Sequence, residues 1–350
     1  MVEIKEALII DTPSASAVEK IEKKPRSIAE ILTTQLEALQ TYHRAVLETD
    51  EPEAIHKMRV TTRRAQAALD LLEGELRVRK LKRRLREWRQ MLSRVRNYDV
   101  FLMLIEKEVT RSRPAYRAQF ELVKSIFQKR RAHRAEKARK YFEKIKVNSI
   151  AIELGLPIAQ PVIEAVADSA VESREAHEAK QSDTGSQKSF AIDEQKVAAH
   201  VADRLEQRVA EFHTLAAQAH PATRAEELHQ LRIAAKRVRY LLEIISQMGY
   251  GDGTRAVAWL RNVQDRIGDW HDLESLEEEI IEIVSHRRFL KEHIAESSRM
   301  LQAAAHLQKK KERLVTKLFP VRVPKTIAAT SQRMERALRR SAGRVASSNQ

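Results

Sequence analysis

Apolar residues recur at i, i+3, i+4 and i+7 over most of the chain, and no stretch alternates long enough to suggest a strand. The pattern predicts a helix from the cap Ser27 to about Leu47. A second starts at Asp50-Glu51-Pro52-Glu53, where an acid, an early proline and a Glu at the third position mark a start, and ends near Gly74. Long helices follow over roughly 77–108 and 114–146. Periodicity lapses over 148–195, an acidic stretch with Gly155, Pro157, Pro161, Gly185 and the run SDTGSQKS, read as a linker or insertion. It resumes over 193–217. The capping box Thr223 to Glu226 opens a helix that stops at the glycine-rich Gly249 to Gly253. Helices over 254–284 and 286–318 complete the pattern, with Phe319-Pro320 closing the last. Residues 1–26 and the basic tail 321–350, its end frayed, flank this all-α body.

Composition agrees and then narrows the chemistry. Only 8 glycines, 9 prolines and 5% aromatics in 350 residues disfavour a sandwich or barrel. With no cysteine, thiolate catalysis and Cys-based metal centres are excluded. No apolar run reaches the ~20 residues of a membrane span, and the acidic start MVEIKEALIID is unlike a signal peptide, so the expectation is a cytoplasmic protein. The net charge is +15, and it is unevenly spread. Residues 51–150 hold 28 Lys and Arg against 12 Asp and Glu, residues 309–350 hold 12 against 2, and residues 151–230 hold 7 against 14. Cations concentrated on particular segments point to a repeating polyanion.

An internal repeat locates them. His56 to Leu72 (HKMRVTTRRAQAALDLL) aligns without gaps on His229 to Ile245 (HQLRIAAKRVRYLLEII), 173 residues later. His56 matches His229, Arg59 matches Arg232, Arg63 matches Lys236 and Arg64 matches Arg237. At ~100° per residue, His56, Arg59 and Arg63 fall within roughly 60°, and His229, Arg232, Lys236 and Arg239 within roughly 80°. Met58, Ala65, Ala68, Leu69 and Leu72, with their counterparts Leu231, Val238, Leu241, Leu242 and Ile245, occupy the opposite faces. Lys82 matches Arg255, and Asp99 matches Asp272. QKRRAHRAEK (128–137) resembles QKKKERLVTK (308–317) at an offset of 180; Arg130, Arg134 and Lys137 share a face in the first, and Lys310, Arg313 and Lys317 in the second. Two helical bundles related by a pseudo-two-fold follow, over 27–147 and 193–320, joined by the acidic segment 148–192.

The doubled His-x-x-Arg-[VI]-x-x-[RK]-Arg signature at 56–64 and 229–237, the Asp99 and Asp272 turns and the late basic helices resemble the CHAD domain family over roughly residues 27–320. The resemblance implies two helical bundles with basic residues lining a shared concave surface or pore. It also implies binding of inorganic polyphosphate, in some members at polyphosphate or storage granules. Many members carry a fused triphosphate-tunnel enzyme domain. Here Glu3-Ile-Lys-Glu6 does not complete that domain's Glu-x-Glu-x-Lys start, so the chain looks like a stand-alone member without catalytic activity or cofactor.

The residue types suit such a ligand. A track of Arg forks and mobile Lys charges neutralises phosphates without reading bases, and releases counterions as it does so. Few aromatics disfavour base stacking. The first ridge comprises His56, Arg59, Arg63 and Arg64 with His229, Arg232, Lys236, Arg237 and Arg239, flanked by Lys82 and Arg255; Arg130, Arg134, Lys137, Lys310, Arg313 and Lys317 form a second wall. Charging of His56 and His229 predicts tighter binding towards pH 6. Nucleic acid is the competing partner for the same cations. A metal-dependent phosphohydrolase built on His271-Asp272 is a weaker alternative, because the first repeat has Tyr98-Asp99 there. Asp99 and Asp272 are read as structural, each holding an Arg or capping a turn.

Overall fold

The computed structural model describes residues 24–72, 76–111, 114–156, 193–220, 225–319 and 321–344. The segment 1–23, most of the acidic connection (157–192), Gly74, Thr223, Pro320 and the last six residues therefore lie outside the described residues. Among those described, every regular element is a helix: α1 Ile28–Glu48, α2 Pro52–Leu69, α3 Leu76–Arg111, α4 Pro114–Phe142, α5 Ser149–Leu154, α6 Glu194–Gln218, α7 Ala225–Gln247, α8 Thr254–Ser285, α9 Arg287–Glu292, α10 Ile294–Leu318 and α11 Lys325–Arg344.

Local chemistry sets the ends. Ser27 Oγ accepts from Glu30 N at 3.1 Å while Ser27 N donates to the Glu30 carboxylate at 2.8 Å, a reciprocal capping box. Pro52 occupies the first turn of α2, where its missing N–H costs nothing. Asp50 is not that helix's cap; its carboxylate pairs with Arg131. Helix α7 ends through Gly249 at φ 83°, a conformation that favours glycine. A Cβ there would also meet the Pro25 ring at 2.8 Å, where the incoming chain crosses.

The helices pack in sequence: α1 on α2, α2 on α3, α3 on α4, then α6 on α7, α7 on α8 and α8 on α10. Contacts of α4 with α10, α2 with α7 and α3 with α8 join the two sets. One apolar core gathers α1, α2, α5, α6, α7 and α11 with the first parts of α3 and α8 and the end of α4, and holds Trp88, Phe142, Phe212 and Leu242. A second lies along the later parts of α3 and α8 against α4 and α10, built from Phe101, Phe120, Phe127, Leu276 and Met300. Both cores extend across the two sets, so neither set is an island.

Three features depart from the sequence pattern. The predicted helix over 286–318 divides at His293, whose φ of −137° and ψ of 54° break the ladder between α9 and α10. The connection after residue 148 begins as an ordered turn of helix, because Ile150, Ala151 and Leu154 are apolar enough to bury and Arg84 pairs with Glu153. The basic tail is largely the helix α11, packed on α6. Its Ile327, Ser331, Met334 and Leu338, spaced four, three and four apart, form a buried stripe. Arg339 then bonds Asp203 at 2.9 Å and Glu206 at 3.1 Å on α6. Replacing Met334 by Ala is therefore expected to lower unfolding stability by about 2–5 kcal/mol, while Arg340→Ala on the exposed side changes it by less than about 0.5. Urea denaturation of both variants measures this, and equal, negligible effects would restore a frayed tail.

Candidate anion-binding cavity

Helices α2 and α7 turn their basic ridges towards each other. Between them, with α3, α6 and α8 closing the sides, lies a cavity of 520 Å³. Arg59 and Arg63 enter it from α2, and His229, Arg232, Lys236 and Arg237 from α7. The ridges hold this orientation because their reverse faces are core: Met58, Ala65 and Leu69 on α2, and Leu231, Val238 and Leu242 on α7, are almost wholly buried. Arg89, Arg204, Arg208 and His271 add to the wall, and Ala67, Leu71, Ile233, Leu241 and Ile244 give it an apolar side.

The arginines are positioned by neutral groups more than by carboxylates. Arg59 Nε donates to Ser93 Oγ at 2.9 Å, and Ser93 Oγ donates to the Arg89 carbonyl at 2.7 Å. Arg89 donates to Gln66 Oε1 at 2.7 Å. Arg232 lies against the backbone of α8, where a Cβ at Gly268 would come within 3.2 Å of its Nη2; its own Nε is buried without a partner. Few acids offset this charge: Asp272 and Asp265 of α8 act on Arg232. Glu211 takes Arg208 at 2.7 Å and Arg237 at 3.0 Å, and Asp70 takes Lys82 at 2.5 Å.

Like charge and lost water act together here. Burial, then Arg63, Arg232, Arg96 and Arg89, pull the Arg59 guanidinium down to about 9. Burial, then Arg232, Arg63, Arg59 and Arg239, pull the Lys236 amine down to about 6. His271 falls to about 4 through burial, then Arg232, His229 and Lys236. Arg89 and Arg232 are lowered chiefly by burial as well. That charges on α2 depress groups on α7, and the reverse, is the electrostatic sign that the ridges share one space. An entering anion would supply the neutralisation the protein withholds.

Not every expected residue joins this space. His56 stands outside the cavity wall, half-buried with Nδ1 unpartnered, and burial and then Arg96 hold it below its ordinary range. It is thus the wrong group to gain charge near pH 6 in the free protein. Arg64 faces a smaller hollow of 280 Å³ with Arg261 and Glu243. Arg239 packs over the Tyr240 ring at 4.5 Å and pairs with Glu243 at 3.2 Å. Arg255 is exposed at the start of α8. None of Arg130, Arg134, Lys137, Lys310, Arg313 and Lys317 lines the cavity. Arg130 bonds Glu279 at 3.0 Å, alongside the Tyr98 hydroxyl at 2.6 Å from that carboxylate, and Lys310 bonds Glu108. These two cations are already neutralised, stitching α4 to α8 and α10 to α3. Asp99 accepts from Arg131 Nε at 2.9 Å, a structural partner of the expected kind.

The repeat argument could not find Arg204, Arg208 and Arg89. The positions 173 residues from them hold Ile31, Gln35 and Asn262, so the cations have no counterparts. Their only signals were the i, i+4 spacing of Arg204 and Arg208 and the dense basic run before Arg89.

The CHAD domain model matches residues 30–280, most of the chain and all five helices around the cavity. The chain belongs to the CHAD domain family. Among solved structures, the CHAD domain from the plant Ricinus communis aligns with a TM-score of 0.53 at 21% identity, covering 85% of this chain and 92% of that one. PptA from Streptomyces chartreusis aligns with a TM-score of 0.53 at 15% identity, covering 83% and 97%. At these identities the likeness is one of fold. No curated protein matches the sequence. Among the described residues, no helix of this CHAD chain is long and apolar enough to cross a membrane.

The depressed Lys236 amine has a consequence for stability. In the folded protein it loses its proton near 6, and in the unfolded chain near ~10.4. Between those values the unfolded state binds more protons, so this group makes stability rise with pH; below about 6 the penalty is present in full. Lys236→Met is therefore expected to stabilise the protein most below pH 6, the advantage over wild type shrinking towards pH 10. Urea denaturation of both proteins across that range tests it. A difference that does not change with pH would contradict it.

Proposed function

We propose that this CHAD chain binds inorganic polyphosphate as a long polyanion, by charge and without chemical turnover, in the cavity between α2 and α7. The observation that carries the reading is the convergence of Arg59, Arg63, Arg232 and Lys236 on one space, where they outnumber the acids acting on them, chiefly Asp272. A structural ridge would be neutralised by carboxylates, as Arg130 and Lys310 are. A ridge left short of counter-charge is matched to a ligand that brings its own. The only acidic side chain in the wall among the described residues, Asp70, is engaged by Lys82. The family's association with polyphosphate selects this polyanion over others. The same reading takes residues 27–147 and 193–320 as copies of one unit, supported by the matching packing order of α1 to α4 and of α6, α7, α8 and α10. It places the protein in the cytoplasm, where polyphosphate binding would bring it to granule surfaces.

Binding of a defined-length polyphosphate at fixed ionic strength tests the proposal. Arg63→Glu with Arg237→Glu is expected to weaken affinity by ~10–100-fold, and Lys137→Glu with Arg313→Glu, exposed and outside the cavity, by less than ~3-fold. Similar losses from both pairs would mean diffuse surface attraction. Duplex DNA displacing polyphosphate at equal phosphate concentration would favour the nucleic-acid reading. Shortening of the polymer during incubation with Mg²⁺ or Mn²⁺ would favour the hydrolase. Affinity is also expected to tighten from pH 8 to pH 6, with Lys236 rather than His56 gaining the proton as the anion arrives.

A further inference from the structure

Lys236 differs from every other cation of the cavity. An arginine keeps its charge in almost any surroundings, but a primary amine can give its proton up. Among the described residues Lys236 forms no ion pair. Arg59 and Arg63 act on it from α2 and Arg232 and Arg239 from its own helix. On α8 it feels His271 and the carboxyl of Asp272, which burial itself pushes towards the neutral form. Arg89 of α3 and Arg204 and Arg208 of α6 complete the surrounding charge. An amine placed so carries its lone pair free at neutral pH, the condition for attack on a carbonyl carbon. Its position in the wall is the second requirement, because Lys236 lines a cavity of 520 Å³, large enough for a small organic molecule. Its wall carries arginines that could seat a phosphate together with the apolar Ala67, Leu71, Ile233, Leu241 and Ile244. Bare polyphosphate has no use for an apolar side.

We propose that Lys236 is a covalent capture site for small phosphorylated aldehydes, whose phosphate seats among the cavity arginines while the carbon skeleton lies on the apolar side. The neutral amine nitrogen attacks the aldehyde carbon, its two hydrogens pass as protons to the carbonyl oxygen, and that oxygen leaves as water. A carbon–nitrogen double bond forms, with no oxidant or reductant consumed. The inference shares with the polyphosphate reading the anion affinity of the cavity, but not the identity of the anion.

Pyridoxal 5′-phosphate is a suitable probe, since borohydride reduction fixes its imine for peptide mapping by mass spectrometry. At pH 7.4 an ordinary lysine is only ~0.1% unprotonated, whereas Lys236, with its amine near 6, is almost wholly so. Limiting probe is expected to label Lys236 at least ~10-fold more than any other lysine. Labelling at Lys236 should plateau above about pH 7, while that of surface lysines climbs beyond pH 9. Pyridoxal without the phosphate should label it far less, and tripolyphosphate should protect it. Adducts spread over exposed lysines, or equal labelling by pyridoxal, would overturn the inference. Tripolyphosphate binding by calorimetry on the same sample separates the two readings. Binding without Lys236 labelling refutes only the capture site. Labelling without any polyphosphate binding refutes only the polyphosphate reading.

Discussion

The structure turns on repulsion that the fold does not relieve. Arg59, Arg63, Arg232 and Lys236 would separate if their helices could rotate, but each helix is fixed by the apolar face behind the ridge. Turning α2 to free Arg59 would bring Met58 and Leu69 out of the core, and turning α7 would do the same to Leu231 and Leu242. Fully burying each such side chain contributes about 1.5–3 kcal/mol. The apolar pattern therefore wins and the cations stay together. The cavity is a by-product of this order: guanidinium groups that repel one another do not close over the gap.

The two ridges reach the same arrangement by different local means. Arg59 is aimed by Ser93, whose hydroxyl is itself anchored on the Arg89 carbonyl. Arg232 is aimed by the absence of a side chain at Gly268, which lets its guanidinium lie on the α8 backbone. Glycine inside a helix costs about 1 kcal/mol relative to alanine, and the close approach of Arg232 gives a reason for it here. The positions 173 residues from Ser93 and Gly268 hold Arg266 and Val95. What α2 and α7 share is thus the pair of arginines and the apolar faces behind them, while the supports differ.

This difference explains what was legible in the sequence. The helical class, most helix limits and a basic ridge opposite an apolar face on α2 and α7 follow from 3.6-residue periodicity and a gapless match of seventeen residues, both of which are local signals; that the ridges share one space was implied by the family resemblance. The helix α11 was equally legible in the spacing of Ile327, Ser331, Met334 and Leu338, but its Lys and Arg content masked the stripe. The second wall failed for another reason. Arg130 and Lys310 do share helix faces with neighbouring cations, but periodicity reports only the face a residue is on. It does not report that Glu279 or Glu108 approaches from another helix. Arg204 and Arg208 were hidden in the same way, because α6 reaches the cavity only through tertiary packing.

Charge that serves a ligand and charge that serves the fold can be separated by sign. Arg131, held by Asp99 at 2.9 Å, and Lys311, held by Glu277 at 2.6 Å, complete pairs in which the acid is largely buried. Removing either cation strands a buried carboxylate and lowers stability. Among the described residues Lys236 forms no ion pair, and like charges and burial hold its amine down, so removing it relieves repulsion and desolvation together. Stability should then rise as anion affinity falls, because the free protein is held at a disadvantage that the bound anion removes. The two effects come from one set of charges and have to change together. On the proposed reading, ligand binding would be linked to folding more strongly here than in a cavity lined by neutral donors, since every neutralised cation would contribute to both.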